Sequence, residues 1–147
     1  MESILEHLPH LAGYKPALIA MGILVLAVTV QSFLAGILAL APGHEVAGMP
    51  LKGTHDDKGF RIMRTYANSA ENLPMMLGAF VLAILAGVSF TLVNWLVIIH
   101  VVCRVIHWLV YYGNVGKRDG GPRTISYVIG LLANIVLGVM AVWALVA

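Results

Sequence analysis

The chain has 147 residues, 60% of them hydrophobic and only 11% charged, with a net charge of +2 and one cysteine. A soluble domain usually carries about 25% charged residues. The composition therefore excludes a disordered chain and a disulfide framework or cysteine-based zinc site, and it offers no basic run for a nucleic acid. What remains is an all-α integral membrane protein, read as a single domain.

Met1–Tyr14 has Glu2 and Glu6 where a signal peptide needs positive charge, and reads as a short interfacial lead-in. No Asp, Glu, Lys or Arg lies between Lys15 and Glu45, between Glu71 and Arg104, or after Arg123. About 20 mostly apolar residues cross a bilayer, and the middle gap breaks near Ser89–Asn94. The expected spans are residues 16–41, 63–88, 92–113 and 123–146 of one antiparallel four-helix bundle. Pro42-Gly43 stops the first, and Gly113, Gly116, Gly120 and Gly121 mark the connection before the fourth. Lys52, Lys58, Arg61, Arg64, Lys117, Arg118 and Arg123 then share one side of the membrane, against Lys15 on the other. Basic residues mark the cytoplasmic side, which puts both basic loops there and both termini opposite.

A charge at mid-membrane costs about 2.5–3.5 kcal/mol on insertion scales, so each one invites a functional reading. In the second span Arg64, Asn68 and Glu71 follow i, i+4, i+7, one helical face, and Glu71 is expected to point inward, with Arg104 as its partner when no ligand is bound. The third span carries His100, Arg104, His107 and Tyr111 on one face; the fourth opens with Arg123, Thr124 and Tyr127. Turned toward each other, these stripes form a hydrated, cation-rich cleft with one buried carboxylate, suited to an anionic polar ligand, with an apolar ligand arriving from the lipid. His100 reads as a packed histidine, Cys103 as a buried thiol, and Gln31 as an interhelical hydrogen bond. Gly130, Asn134 and Gly138 read as a close-packing face, and His55, Asp56 and Asp57 as solvated. No cluster with metal-ligand spacing stands out.

Arg64-x-x-x-Asn68-x-x-Glu71-x-x-Pro74, Arg104-x-x-His107-x-x-x-Tyr111 and Pro122-Arg123-Thr124 with Tyr127 resemble, in order and at the matching helix ends, the signature of the MAPEG family, the membrane-associated proteins in eicosanoid and glutathione metabolism. The resemblance covers residues 16 to 147. It implies a homotrimer of four-helix bundles that binds glutathione as co-substrate between adjacent subunits, near the cytoplasmic face. It implies that Arg64, Asn68, Glu71, Arg104, His107, Tyr111 and Tyr127 bind the tripeptide. Arg123 matches the arginine that stabilises its thiolate.

The activity so implied is a glutathione-dependent transferase or peroxidase acting on a hydrophobic small molecule from the bilayer. The chain departs from characterised members in three places. It has no Arg near the end of the first span, which reads Leu40-Ala41-Pro42-Gly43-His44; it has Asn72 where leukotriene synthase has an aromatic residue; and it has a longer stretch between Tyr111 and Arg123. That stretch makes Arg118 a rival for the thiolate role. Two other readings stay open: a non-catalytic protein of the same fold with a structural or lipid-binding role, and a small transporter subunit.

Overall fold

The computed structural model describes residues 8–39, 53–116 and 120–147. A 3-10 turn, Pro9–Tyr14, leads into four helices: α1 (Lys15–Ala39), α2 (Lys58–Leu85), α3 (Phe90–Tyr112) and α4 (Pro122–Val146). At 1.5 Å per residue even α3 reaches about 34 Å, enough for a hydrocarbon core of about 30 Å, and all four helices are apolar enough to cross one. Residues 1–7, most of the α1–α2 connection and 117–119 lie outside the described residues, and with them Glu2, Glu6, the Leu40–His44 stretch, Lys52, Lys117 and Arg118.

Helices α3 and α4 share the most extensive interface; α1 packs on α2 and α3, and α4 on α3 and α2. Each helix contributes a narrow inward stripe. Ala17, Met21, Leu24 and Val28 of α1 meet Met76, Phe80 and Ala83 of α2, Val93, Val97 and Val101 of α3, and Leu137 and Ala141 of α4. Their steps of three and four place them on one face of each helix. Ile23, Leu26 and Phe33 of α1 and Leu132, Val139 and Trp143 of α4 instead point outward, among many exposed large apolar residues. A soluble monomer does not expose so much apolar surface; lipid is the solvent that fits it.

The helix ends have identifiable causes. α2 starts five residues earlier than the sequence suggests, because Asp57 caps it: its Oδ1 accepts from the N–H of Gly59 at 2.8 Å. The charged turn Lys58–Arg61 is thereby drawn into the helix. Pro74 lies inside α2 without ending it. The turn to α3 is a Schellman motif: Val88 N–H bonds to Ala83 O and Gly87 N–H to Ile84 O, with Gly87 at φ 70°, the left-handed position a glycine fills without strain. α3 ends in the same way, but there Asn114, not the neighbouring Gly113, takes the positive φ of 52°.

At the α2–α3 turn end, Asn94 ties the start of α1 to α3, accepting from Ala17 N–H at 3.1 Å and donating to Gly13 O at 2.8 Å. The Tyr14 hydroxyl donates to Val88 O. Between α3 and α4, buried His100 donates from Nδ1 to Gly130 O at 2.9 Å. A side chain at position 130 would start 3.2 Å from Cys103 Cβ, so glycine sets how closely these two helices approach. Gln31 bonds within the chain, Nε2 to the Tyr112 hydroxyl at 2.9 Å.

Candidate binding cleft at the α2–α3–α4 junction

The bundle face of α2 is Thr65, Ser69, Asn72 and Met76, all buried. Small side chains at 65 and 69 admit the large ones of α3: the Trp108 indole N–H donates to Ser69 Oγ at 2.9 Å, and Ser69 passes its own proton to Thr65 O at 2.9 Å. The stripe Arg64, Asn68, Glu71 runs beside this face, one residue off. That rotation corrects the sequence expectation for Glu71. Its side chain is 58% exposed, and it pairs with Arg64 at 3.5 Å, not with Arg104.

Arg104 is corrected in the opposite sense. It is 3% exposed and lies under the cleft instead of lining it. Its Nη2 donates to Asn68 Oδ1 at 2.8 Å and more weakly to Ser69 Oγ at 3.4 Å.

The other expected residues come together. Arg64, Asn68 and Glu71 of α2, His107 and Tyr111 of α3, and Arg123, Thr124 and Tyr127 of α4 line one cleft of about 420 Å³, with His55 at its edge. His107 stands at the centre of an aromatic group, 5.6 Å from the Tyr111 ring and 6.0 Å from that of Tyr127. Its Nδ1 is 3.2 Å from Arg123 O. A carbonyl only accepts, so Nδ1 carries the proton. Nε2 is left as a buried acceptor with no hydrogen-bond partner among the described residues. The Arg123 guanidinium lies over the Tyr111 ring, 4.8 Å from its centre.

His55 departs from the solvated reading. It precedes α2, yet its Nδ1 meets the Tyr111 hydroxyl at 3.1 Å and its ring contacts those of Phe60 and Tyr111. Arg61 holds this segment by donating to His55 O at 2.7 Å and Asp56 O at 2.9 Å. His55, Tyr111 and Arg123 also border a second cavity of similar size beneath residues 53–56. Nothing local in the sequence singles out His55; only its approach to Tyr111, 56 positions away, does. Ser69 and Trp108 were equally silent, each standing next to a residue of the recognised stripes.

Chemically, the cleft offers two guanidinium groups, one carboxylate, a carboxamide and phenolic hydroxyls. That set suits a small zwitterion with more negative than positive charge. Among the described residues no group of three or more His, Cys, Asp or Glu is placed to hold a metal ion.

The model of the MAPEG family matches residues 17–143. The chain belongs to the MAPEG family. The matched region contains nearly all of the four helices and every cleft residue, from His55 to Tyr127. No curated protein matched the chain. As a MAPEG protein with four helices able to span a bilayer, it is an integral membrane protein, of a family that includes glutathione transferases and peroxidases.

Proposed function

We propose that this MAPEG protein is a membrane-bound glutathione-dependent transferase or peroxidase acting on lipophilic electrophiles. The observation that carries the reading is the convergence of Arg64, Asn68, Glu71, His107, Tyr111, Arg123 and Tyr127 on one cleft. Glutathione has two carboxylates, one ammonium and one thiol. Arg64 and Asn68 supply donors for a carboxylate, Glu71 an acceptor for the ammonium, and Arg123 a cation for the sulfur. A free thiol has a pKa of about 8.5 and is mostly protonated at neutral pH. Lowering it by two units takes about 2.7 kcal/mol of preference for the anion. A guanidinium suits that task because it stays charged in a low-dielectric site. The thiolate then attacks an electrophilic carbon and the leaving group departs with the electron pair; on a peroxide, it attacks one oxygen, the O–O bond breaks, the alkoxide leaves with the electron pair and takes up a proton, and a second glutathione reduces the resulting sulfenic acid to the disulfide and water.

The quaternary reading follows from the same exposure. Glu71 and Arg64 are about half exposed in one protomer, with side-chain values of 58% and 42%. Charged groups at the edge of an apolar bundle need cover. A homotrimer of antiparallel four-helix bundles with the cleft between subunits would supply it, with the basic connections on the cytoplasmic side.

Titrating glutathione into the purified protein tests the activity. The expected result is thiolate absorbance in the ultraviolet together with thermal stabilisation. Absence of both leaves a family-fold protein without this chemistry.

A further inference from the structure

Arg104 is a buried cation that stays out of the cleft, and its placement bears on a residue that does line it. Its Nη2 approaches Asn68 Oδ1 at 2.8 Å and Ser69 Oγ at 3.4 Å. Ser69 donates to Thr65 O and accepts from Trp108, so its hydroxyl has only lone pairs left for the guanidinium. The two acceptors anchor Arg104 from one side. The anchor matters because a carboxamide has two ends of nearly equal size and opposite polarity. Arg can only donate, so the end of Asn68 facing it must be oxygen. The nitrogen end is then the one turned away, on a residue that borders the cleft. Among the described residues no partner takes those two N–H groups, while the backbone carbonyl of Asn68 is already engaged by Asn72 Nδ2 at 2.7 Å.

We propose that Arg104 is a positioning residue that sets the polarity of Asn68. It holds Oδ1 toward the bundle, so that Asn68 meets the ligand as a donor and receives an oxygen acceptor, a carboxylate or a peptide carbonyl. The α2 stripe then reads donor, donor, acceptor from Arg64 through Asn68 to Glu71. Without Arg104 the carboxamide turns freely, and half of its orientations present oxygen to an oxygen. The assignment rests on the glutathione reading for the identity of the ligand, but the Arg104–Asn68 coupling itself does not.

Glutathione binding to the purified protein, measured by calorimetry, tests the polarity. Asn68→Ala is expected to weaken binding about tenfold, the loss of one hydrogen bond to a charged group. Asn68→Asp keeps the shape and the contact with Arg104 but presents only acceptors, and is expected to bind more weakly than Asn68→Ala. Wild-type affinity in Asn68→Asp overturns the donor assignment. Arg104→Gln, which offers both a donor and an acceptor, is expected to match Asn68→Ala, and the double variant to be no weaker than either single one. Losses that multiply overturn the positioning role.

Melting temperatures without ligand give an independent arm that survives if wild type binds no glutathione, the outcome that would instead defeat the proposed activity. Asn68→Asp is expected to melt above Asn68→Ala, through its pair with Arg104. Equal melting temperatures overturn the contact on which the inference stands.

Discussion

The guanidinium of Arg123 lies 4.8 Å from the ring centre of Tyr111, although one is the second residue of α4 and the other sits one position from the end of α3. The backbone of Arg123 is held as well, because its carbonyl receives the Nδ1 proton of His107. A long, rotamer-rich side chain is thus restrained at both its root and its tip, and less entropy remains to be lost when it closes on an anion.

Replacing the cation is the most direct test of its role. Arg123→Ala is expected to cut the thiolate-to-thiol ratio of bound glutathione about a hundredfold, the equivalent of two pKa units, while the protein elutes at the same size from a gel-filtration column in detergent. Ultraviolet difference spectra read the first quantity. Undiminished thiolate would transfer the role to another cation, with Arg118 the first to examine.

The aromatic platform predicts a graded series. Tyr111→Phe keeps a ring beneath Arg123 and should hold the thiolate-to-thiol ratio within about threefold. Tyr111→Leu removes the ring and about 1 kcal/mol of cation–π attraction, so a drop of about fivefold in that ratio is expected from the same spectra. Equal effects of the two variants would show that the Tyr111 hydroxyl and its contact with His55 matter more than the ring.

Glu71 should separate binding from stability. Its pair with Arg64 is half exposed and 3.5 Å long; such pairs contribute about 0–1 kcal/mol. Glu71→Gln should therefore leave the melting temperature nearly unchanged and weaken glutathione binding about tenfold, as expected for loss of a charged hydrogen bond. Wild type should also discriminate against N-acetylated glutathione, which lacks the ammonium, and Glu71→Gln should not. Calorimetry with the two peptides checks both statements.

Ser69→Ala removes the shared acceptor of Trp108 and Arg104. It leaves a buried indole N–H without a partner, at a cost of about 1–3 kcal/mol. A lower melting temperature in detergent is the expected outcome. A melt equal to wild type would mean that the indole has found another acceptor.

The far end of the bundle supplies a contrast. Asn94→Ala loses two hydrogen bonds at the start of α1 and should destabilise by about 1–3 kcal/mol. The cleft residues belong to the opposite ends of α2, α3 and α4, so glutathione affinity of the folded variant should stay at the wild-type value. A change in Kd would reveal coupling along α3 between its two ends.

Some of this architecture can be read from the chain as a line of residues. Charge-free stretches locate the four helices, and i, i+4, i+7 spacing groups Arg64 with Asn68 and Glu71, because hydropathy and helical period depend only on order along the chain. The boundary at Lys58 is not legible in this way, because a charged segment containing Gly59 reads as loop until the Asp57 cap is seen.

Rotation of each helix about its axis was beyond such reading. A stripe one residue to either side has the same spacing, and side-chain volume across the interface chooses between them. Thr65 and Ser69 turn inward because Trp108 and Arg104 need room, and this leaves Glu71 outside and Arg104 inside. The approach of His55 to Tyr111 is likewise decided in three dimensions. Periodicity names the members of a polar face; only packing between distant segments determines which of them a ligand can touch.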